Sequence, residues 1–247
     1  MAGKSAIAQG RAQGAGAAER GPDPRRIPTY GPVESAHYLR LPAATLRSWV
    51  VGRSYPVRGG TRYFKPLVEV KGSKPPLLSF LNLVEAHVLA AIRRSHEIPL
   101  DKVRRALDFV ERHCCTPNPL ANAGFETDGL DLFIEHYGRL VNASSDGQIA
   151  MRQMLETHLR RVERDATGLA TRLYLFTRRV EPDEPRVVVV DPLLGFGRPV
   201  LVGTGIPTAV LADRYRAGES MDELADDYGC DRNLVEEAVR CELRWAA

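Results

Sequence analysis

Cysteine is scarce in this chain, with four residues in 247, at Cys114, Cys115, Cys230 and Cys241. Their spacing fits neither a metal-ligand pattern nor a disulfide framework, which excludes a small staple-dependent fold and points to a reducing compartment. No apolar run approaches the roughly 18 to 20 residues needed to cross a bilayer. The N-terminus also lacks the apolar core of a secretory signal. We therefore expect a cytoplasmic protein with no membrane partner. Catalytic constellations are missing too. The six histidines, His37, His87, His96, His113, His136 and His158, are scattered, and neither a glycine-rich phosphate loop nor a Ser/His/Asp arrangement stands out. His113-Cys114-Cys115 comes nearest to a ligand cluster, but adjacent cysteines suit one tetrahedral metal badly. The expectation is no enzyme, no metal and no cofactor.

What is present is a stretch at residues 33–62 that reads as two short helices and a hairpin. Val33-Glu34-Ser35-Ala36-His37-Tyr38-Leu39 is followed by a break at Arg40-Leu41-Pro42 and then by Ala43-Ala44-Thr45-Leu46-Arg47-Ser48-Trp49-Val50. Ala36, Leu39, Leu46, Trp49 and Val50 share a core-facing side, and the missing N–H of Pro42 is harmless in a first helical turn. Thr45, Arg47 and Ser48 are left pointing outward. Next comes a hairpin, in which Gly59-Gly60 supplies the positive φ of the turn between aromatic and β-branched flanks. Arg53, Arg58 and Arg62 would line it. A helix for a groove beside a basic β-wing reads DNA bases with one element and grips phosphates with the other.

Helix-turn-helix units also serve as inert packing, and charge decides between the two readings. Residues 27–74 carry eight basic side chains against two acidic ones, while the whole chain is only +3. That is the field expected of a phosphate-binding face. Residues 1–26 are rich in Ala, Gly, Gln and Arg with almost nothing to bury, so a disordered tail is expected. Beyond the wing, Asn82-Leu83-Val84-Glu85 fits a capping box opening a helix to about residue 95, and residues 99–113 form a second helix behind Asp101.

The middle of the chain reads as α+β. Leu130, Leu132 and Ile134 are spaced for one face of a strand, residues 147–164 for a helix with Ile149, Met154, Leu155 and Val162 buried, and residues 171–177 and 186–190 for strands. A small antiparallel sheet is expected to link the two halves. After a glycine-rich strand pair at residues 190–208 come three helices, the second opened by a Ser220-x-x-Glu223 box and stopped by Gly229. From residue 205 to the end there are ten acidic side chains against five arginines, a balance that opposes a polyphosphate and suits protein docking. The fold class expected is α+β, mainly α. It comprises a tail (1–26), a winged helix-turn-helix domain (27–113), a small β-rich α+β connecting region (114–185) and a tri-helical, helix-turn-helix-like domain (186–247).

Phe196-Gly197-Arg198-Pro199-Val200, Gly203-Thr204-Gly205-Ile206-Pro207 and Gly218-Glu219-Ser220 with Glu223-Leu224-Ala225 and Tyr228 resemble the bacterial domain of unknown function 433. The chain departs from that pattern at Gly205, where the family often carries arginine. With a MerR-like helix-turn-helix in front, the layout resembles a subgroup of VapB-type antitoxins. The resemblance covers roughly residues 30–244. It implies a type II toxin–antitoxin pair, in which this chain silences a PIN-domain ribonuclease and represses its own operon at operator DNA. It also implies a homodimer or hetero-oligomer, with Arg198, Thr204 and Ile206 as partner-binding candidates. The alternative is a stand-alone MerR-like transcriptional regulator without a nuclease partner.

Overall fold

The computed structural model describes residues 21–70, 74–94, 100–114, 118–178 and 180–243. Helix α1 (Pro32–Tyr38) opens with Pro32 and with the Glu34 carboxylate accepting from the Gly31 N–H. A turn with Arg40 in the left-handed conformation leads to α2 (Ala43–Val51). Ala36, Leu39, Leu46, Trp49 and Val50 are buried as their spacing predicts. The wing follows as antiparallel β1 (Arg53–Val57) and β2 (Gly60–Phe64), and the Leu67 and Val68 N–H groups then return to the Trp49 carbonyl. This return ties the wing to the end of α2.

Helix α3 (Phe80–Arg94) is the axis of the molecule, with every residue from 80 to 92 buried. It packs on α6, on β4 and on two 3-10 turns, Pro24–Arg26 and Pro119–Ala121. Its cap lies three residues earlier than the sequence pattern placed it. Ser79 Oγ accepts from the Asn82 N–H, and Asn82 Oδ1 accepts from the Ser79 N–H at 3.1 Å. Once Asn82 closes that box, it cannot open another with Glu85. Helix α4 (Leu100–Cys114) stands where expected.

Residues 125–141, expected to be extended, are helical: a π-helical turn at Phe125–Gly129 runs into α5 (Leu130–Val141). Leu130, Phe133, Ile134 and Tyr137 are all buried. That three-to-four spacing, shared with α4 as a packing partner, outweighs the alternation of Leu130, Leu132 and Ile134. Helix α6 (Ser145–Leu159) starts behind the cap Ser144 and ends before Val162. Val162 therefore sits in a strand instead of closing a helical stripe, and Ile149 is exposed rather than buried.

The sheet is antiparallel in the order β3 (Val162–Arg164), β4 (Ala170–Tyr174), β5 (Val188–Val190), β6 (Val200–Leu201). Three helices follow: α7 (Thr208–Arg216), α8 (Met221–Tyr228) and α9 (Arg232–Glu242). Ser220 and Glu223 form the expected box, and Gly229 ends α8 at φ 59°. Trp245, expected at the end of the last helix, lies outside the described residues. The architecture is α+β and mainly α.

The two ends of the chain share one core, which runs from Tyr30 and Trp49 through α3 to Val235 and Val239. A polar seam reinforces it. The buried Tyr30 hydroxyl donates to the Gly197 carbonyl at 2.9 Å. Arg40 donates to the Thr177 and Arg178 carbonyls, and His37 lies 3.8 Å from Glu242. Buried Glu237 accepts from Thr177, Arg178 and Arg240. Its burial would raise the carboxyl pKa, but the hydrogen bonds from Arg178 and Thr177 outweigh that and hold it below the usual range. The expected tail also needs correction. Residues 1–20 lie outside the described residues, but Asp23 caps the turn at Pro24–Arg26, and Arg25 reaches Asp165 at 2.6 Å.

Candidate nucleic-acid and partner interfaces

Strand register decides which wing side chains face together. Arg53 pairs with Phe64, Tyr55 with Arg62 and Val57 with Gly60, so Arg53, Tyr55 and Arg62 stand on one face. Tyr63 belongs to the opposite face and donates to the Val51 carbonyl at 2.7 Å, turning that face toward the end of α2. Arg58 and Gly59 form the tip, where Gly59 takes φ 94°. Arg47, Arg53, Arg58 and Arg62 are exposed and make no ion pair or side-chain hydrogen bond among the described residues. The arginines of the C-terminal helices are spoken for: Arg214 binds Glu219 and Asp227, Arg216 binds Asp213, and Arg232 binds Asp222 and Glu236. In contrast to those helices, α2 and the wing carry positive charge with no carboxylate partner among the described residues, so a phosphate could meet it without first displacing one.

Two of the sequence-predicted contacts are poorly placed. Thr45 is 9% exposed and faces the core, contrary to the expected outward orientation. Ser48 is half-buried, with its hydroxyl donating to the Thr45 carbonyl at 2.7 Å. The helical surface left open is Arg47 with exposed Ala43, Ala44 and Val51.

At the other end Arg198 is exposed, whereas Thr204 and Ile206 shape a turn. Thr204 Oγ1 donates to the Leu201 carbonyl and accepts from the Ile206 N–H, both at 3.1 Å, while Ile206 packs on the core. Sequence reasoning missed the loop before Arg198. Gly195, Phe196 and Gly197 lie consecutively in the left-handed region, at φ 53°, 56° and 77°. This backbone holds Phe196 at 94% exposure, next to Leu193 at 78%. Asp191, buried and bonded to Arg172 at 2.9 Å, anchors the loop by accepting from the Leu193 N–H at 2.8 Å. The foot of the loop is the Gly197 carbonyl under Tyr30. The left-handed conformation that holds this aromatic in solvent costs about 1–2 kcal/mol. The signal was the run Leu-Leu-Gly-Phe-Gly, apolar yet broken by the glycines that let it project. Among the described residues, no group of three His, Cys, Asp or Glu side chains is arranged to hold a metal. No helix among them is long and apolar enough to cross a membrane.

Known proteins fit this division. Residues 28–107 match the family described as "Putative DNA-binding HTH domain", and residues 188–240 match "Protein of unknown function (DUF433)". The chain joins a helix-turn-helix domain to a DUF433 domain, as the sequence resemblance implied. Among its relatives in Mycobacterium tuberculosis, strain H37Rv, is "Putative antitoxin VapB45", 28% identical over 86% of this chain and 93% of the relative. A second, "Uncharacterized protein Rv2308", is 25% identical over 87% of this chain and 89% of its own length. The crystal structure of Rv2018 from Mycobacterium tuberculosis shares the fold, with a TM-score of 0.63 at 24% identity over 86% of this chain and 98% of that one.

Proposed function

We propose that this chain is a non-enzymatic, DNA-binding antitoxin. In this reading its front, up to about residue 113, holds operator DNA, and its rear, from about residue 186, holds a PIN-domain ribonuclease. It acts in the cytoplasm and represses its own operon as a dimer, because one short MerR-like reading helix contacts too few bases for a specific site. The observation that carries the reading is the set of exposed, unpaired arginines on α2 and the wing. The relationship to a protein named as an antitoxin supports the nuclease half. Arg47 would face the groove, Arg53, Arg58 and Arg62 the phosphates, and Phe196, Leu193 and Arg198 the toxin.

Gel-shift titration on the chain's own promoter tests the first half. Arg58→Ala should weaken binding and lower the salt slope by about 0.9, the share of one phosphate. Arg47→Ala should weaken binding to operator more than to random duplex. Both variants binding like wild type would overturn the assignment. Coexpression with the neighbouring small reading frame tests the second half through copurification and rescue from toxicity. Without either, a stand-alone transcriptional regulator becomes the better account.

A further inference from the structure

A cavity of about 530 Å³ lies between the base of the wing, α3 and α4, within the size range of small-molecule sites. Its floor is Glu85, which is 8% exposed. Both hydrogen bonds to this carboxylate reach Oε2, from Asn82 Nδ2 at 3.2 Å and Asn118 Nδ2 at 2.9 Å. Oε1 accepts none. A buried carboxylate with one oxygen fixed and the other bare toward an open space is pre-oriented for a donor that the described residues do not supply.

The other charged groups select the sign of that donor. Glu69 follows the wing, Asp108 and Glu111 come from α4, and all three line the cavity with Glu85. Among the described residues, the cations lining it are Lys65 and Arg104. Arg104 donates through one Nη to the Lys65 carbonyl at 2.9 Å with its guanidinium 5.8 Å from the Phe64 ring centre, and its buried Nε has no partner among the described residues. Among the described lining residues, four carboxylates against two cations disfavour an anion. Leu89, Leu107 and Leu120 supply an apolar wall that a hydrated inorganic ion would leave unused.

We propose that this cavity binds a small organic cation, a protonated amine whose ammonium donates to Glu85 Oε1 and whose hydrocarbon body lies along Leu89, Leu107 and Leu120. Burial, reinforced by the neighbouring charges of Glu111 and Glu69 and offset in part by the two asparagines, pushes the Glu85 carboxyl up to about 7. Binding therefore strengthens with pH as Glu85 ionises. Between pH 6 and 8 the ionised fraction, and with it the affinity, rises about tenfold.

Calorimetric titration of the full chain with phenethylamine, which stays protonated across this range, tests the site against the neutral 2-phenylethanol and the anionic 3-phenylpropionate. The expected results are at least about tenfold preference for the amine, the rise with pH, and a loss of about tenfold or more in Glu85→Gln. That variant keeps an oxygen for both asparagines and buries no charge, so it folds. Leu107→Trp, which fills the space from a half-buried position, should abolish binding while leaving Glu85 in place. No saturation by the amine up to about 10 mM, equal binding of amine and alcohol, or unchanged affinity in both variants would overturn the proposal.

Discussion

Gly197 and Tyr30, 167 positions apart, touch where the helix-turn-helix unit meets the exposed loop of the C-terminal domain. Replacing Tyr30 with Phe removes one hydrogen bond between buried groups and leaves the Gly197 carbonyl without that donor, a loss of about 1–2 kcal/mol. Gly197→Ala incurs two costs. Its φ of 77° disfavours any side chain by about 1–2 kcal/mol. The added Cβ would also press into the Tyr30 hydroxyl, an overpacking cost of about 1–3 kcal/mol. With Tyr30→Phe already made, the hydroxyl is gone and the next ring atom lies 3.3 Å away. The backbone cost then remains, with a ring contact that a shift of a few tenths of an ångström relieves. The double variant should be more stable than the sum of the single losses implies by about 1–3 kcal/mol, read from urea denaturation followed by far-ultraviolet circular dichroism. Additivity within about 0.5 kcal/mol would mean that the two side chains do not abut, and the seam described above would be wrong.

Phe196→Gly should leave urea stability within about 1 kcal/mol of wild type, because relief of the left-handed strain and the added chain entropy oppose each other. The same change should cut retention of the coexpressed partner at least about tenfold, and undiminished copurification would remove Phe196 from the interface. Glu85 is held above its unfolded pKa, so the folded state binds the proton more tightly and its contribution to stability fades as pH rises through about 7. Wild type should lose up to about 3 kcal/mol between pH 5 and 8 relative to Glu85→Gln, and parallel pH profiles for the two proteins would refute this. Ser220→Ala removes the acceptor for the Glu223 N–H and should cost about 1 kcal/mol in the same denaturation assay.

Local patterns carried the two ends of the molecule well. The core side of α1 and α2, the wing, and the α8 box with its terminal glycine each depend on residues within one turn of one another, so spacing and side-chain chemistry suffice. At Ser79 and Asn82 the same kind of pattern misled. Two overlapping boxes fit the sequence, and only tertiary burial of α3 selects the earlier one. At α5 the apolar residues satisfy a two-residue and a three-to-four-residue period together, and packing against α4 decides. Thr45 was misplaced because the inward side of a short helix depends on what covers it. The contacts of Tyr30 with Gly197 and of Arg40 with Thr177 join segments more than a hundred residues apart and leave no local trace. Of the interface residues, the arginines were legible as charge. The projecting Phe196 was not, since exposure of an aromatic side chain is a property of the backbone beneath it.

Helix α3 has no side turned to water between residues 80 and 92. Pruning the protein to residues 27–113 would strip the sheet and α6 from that rod and bare part of a largely apolar cylinder, so the fragment would clump instead of folding. Under the proposed function, grip on a duplex and grip on a second protein are therefore inherited as one object, and shuffling of the front module onto another tail would succeed only if the new tail wrapped the same rod.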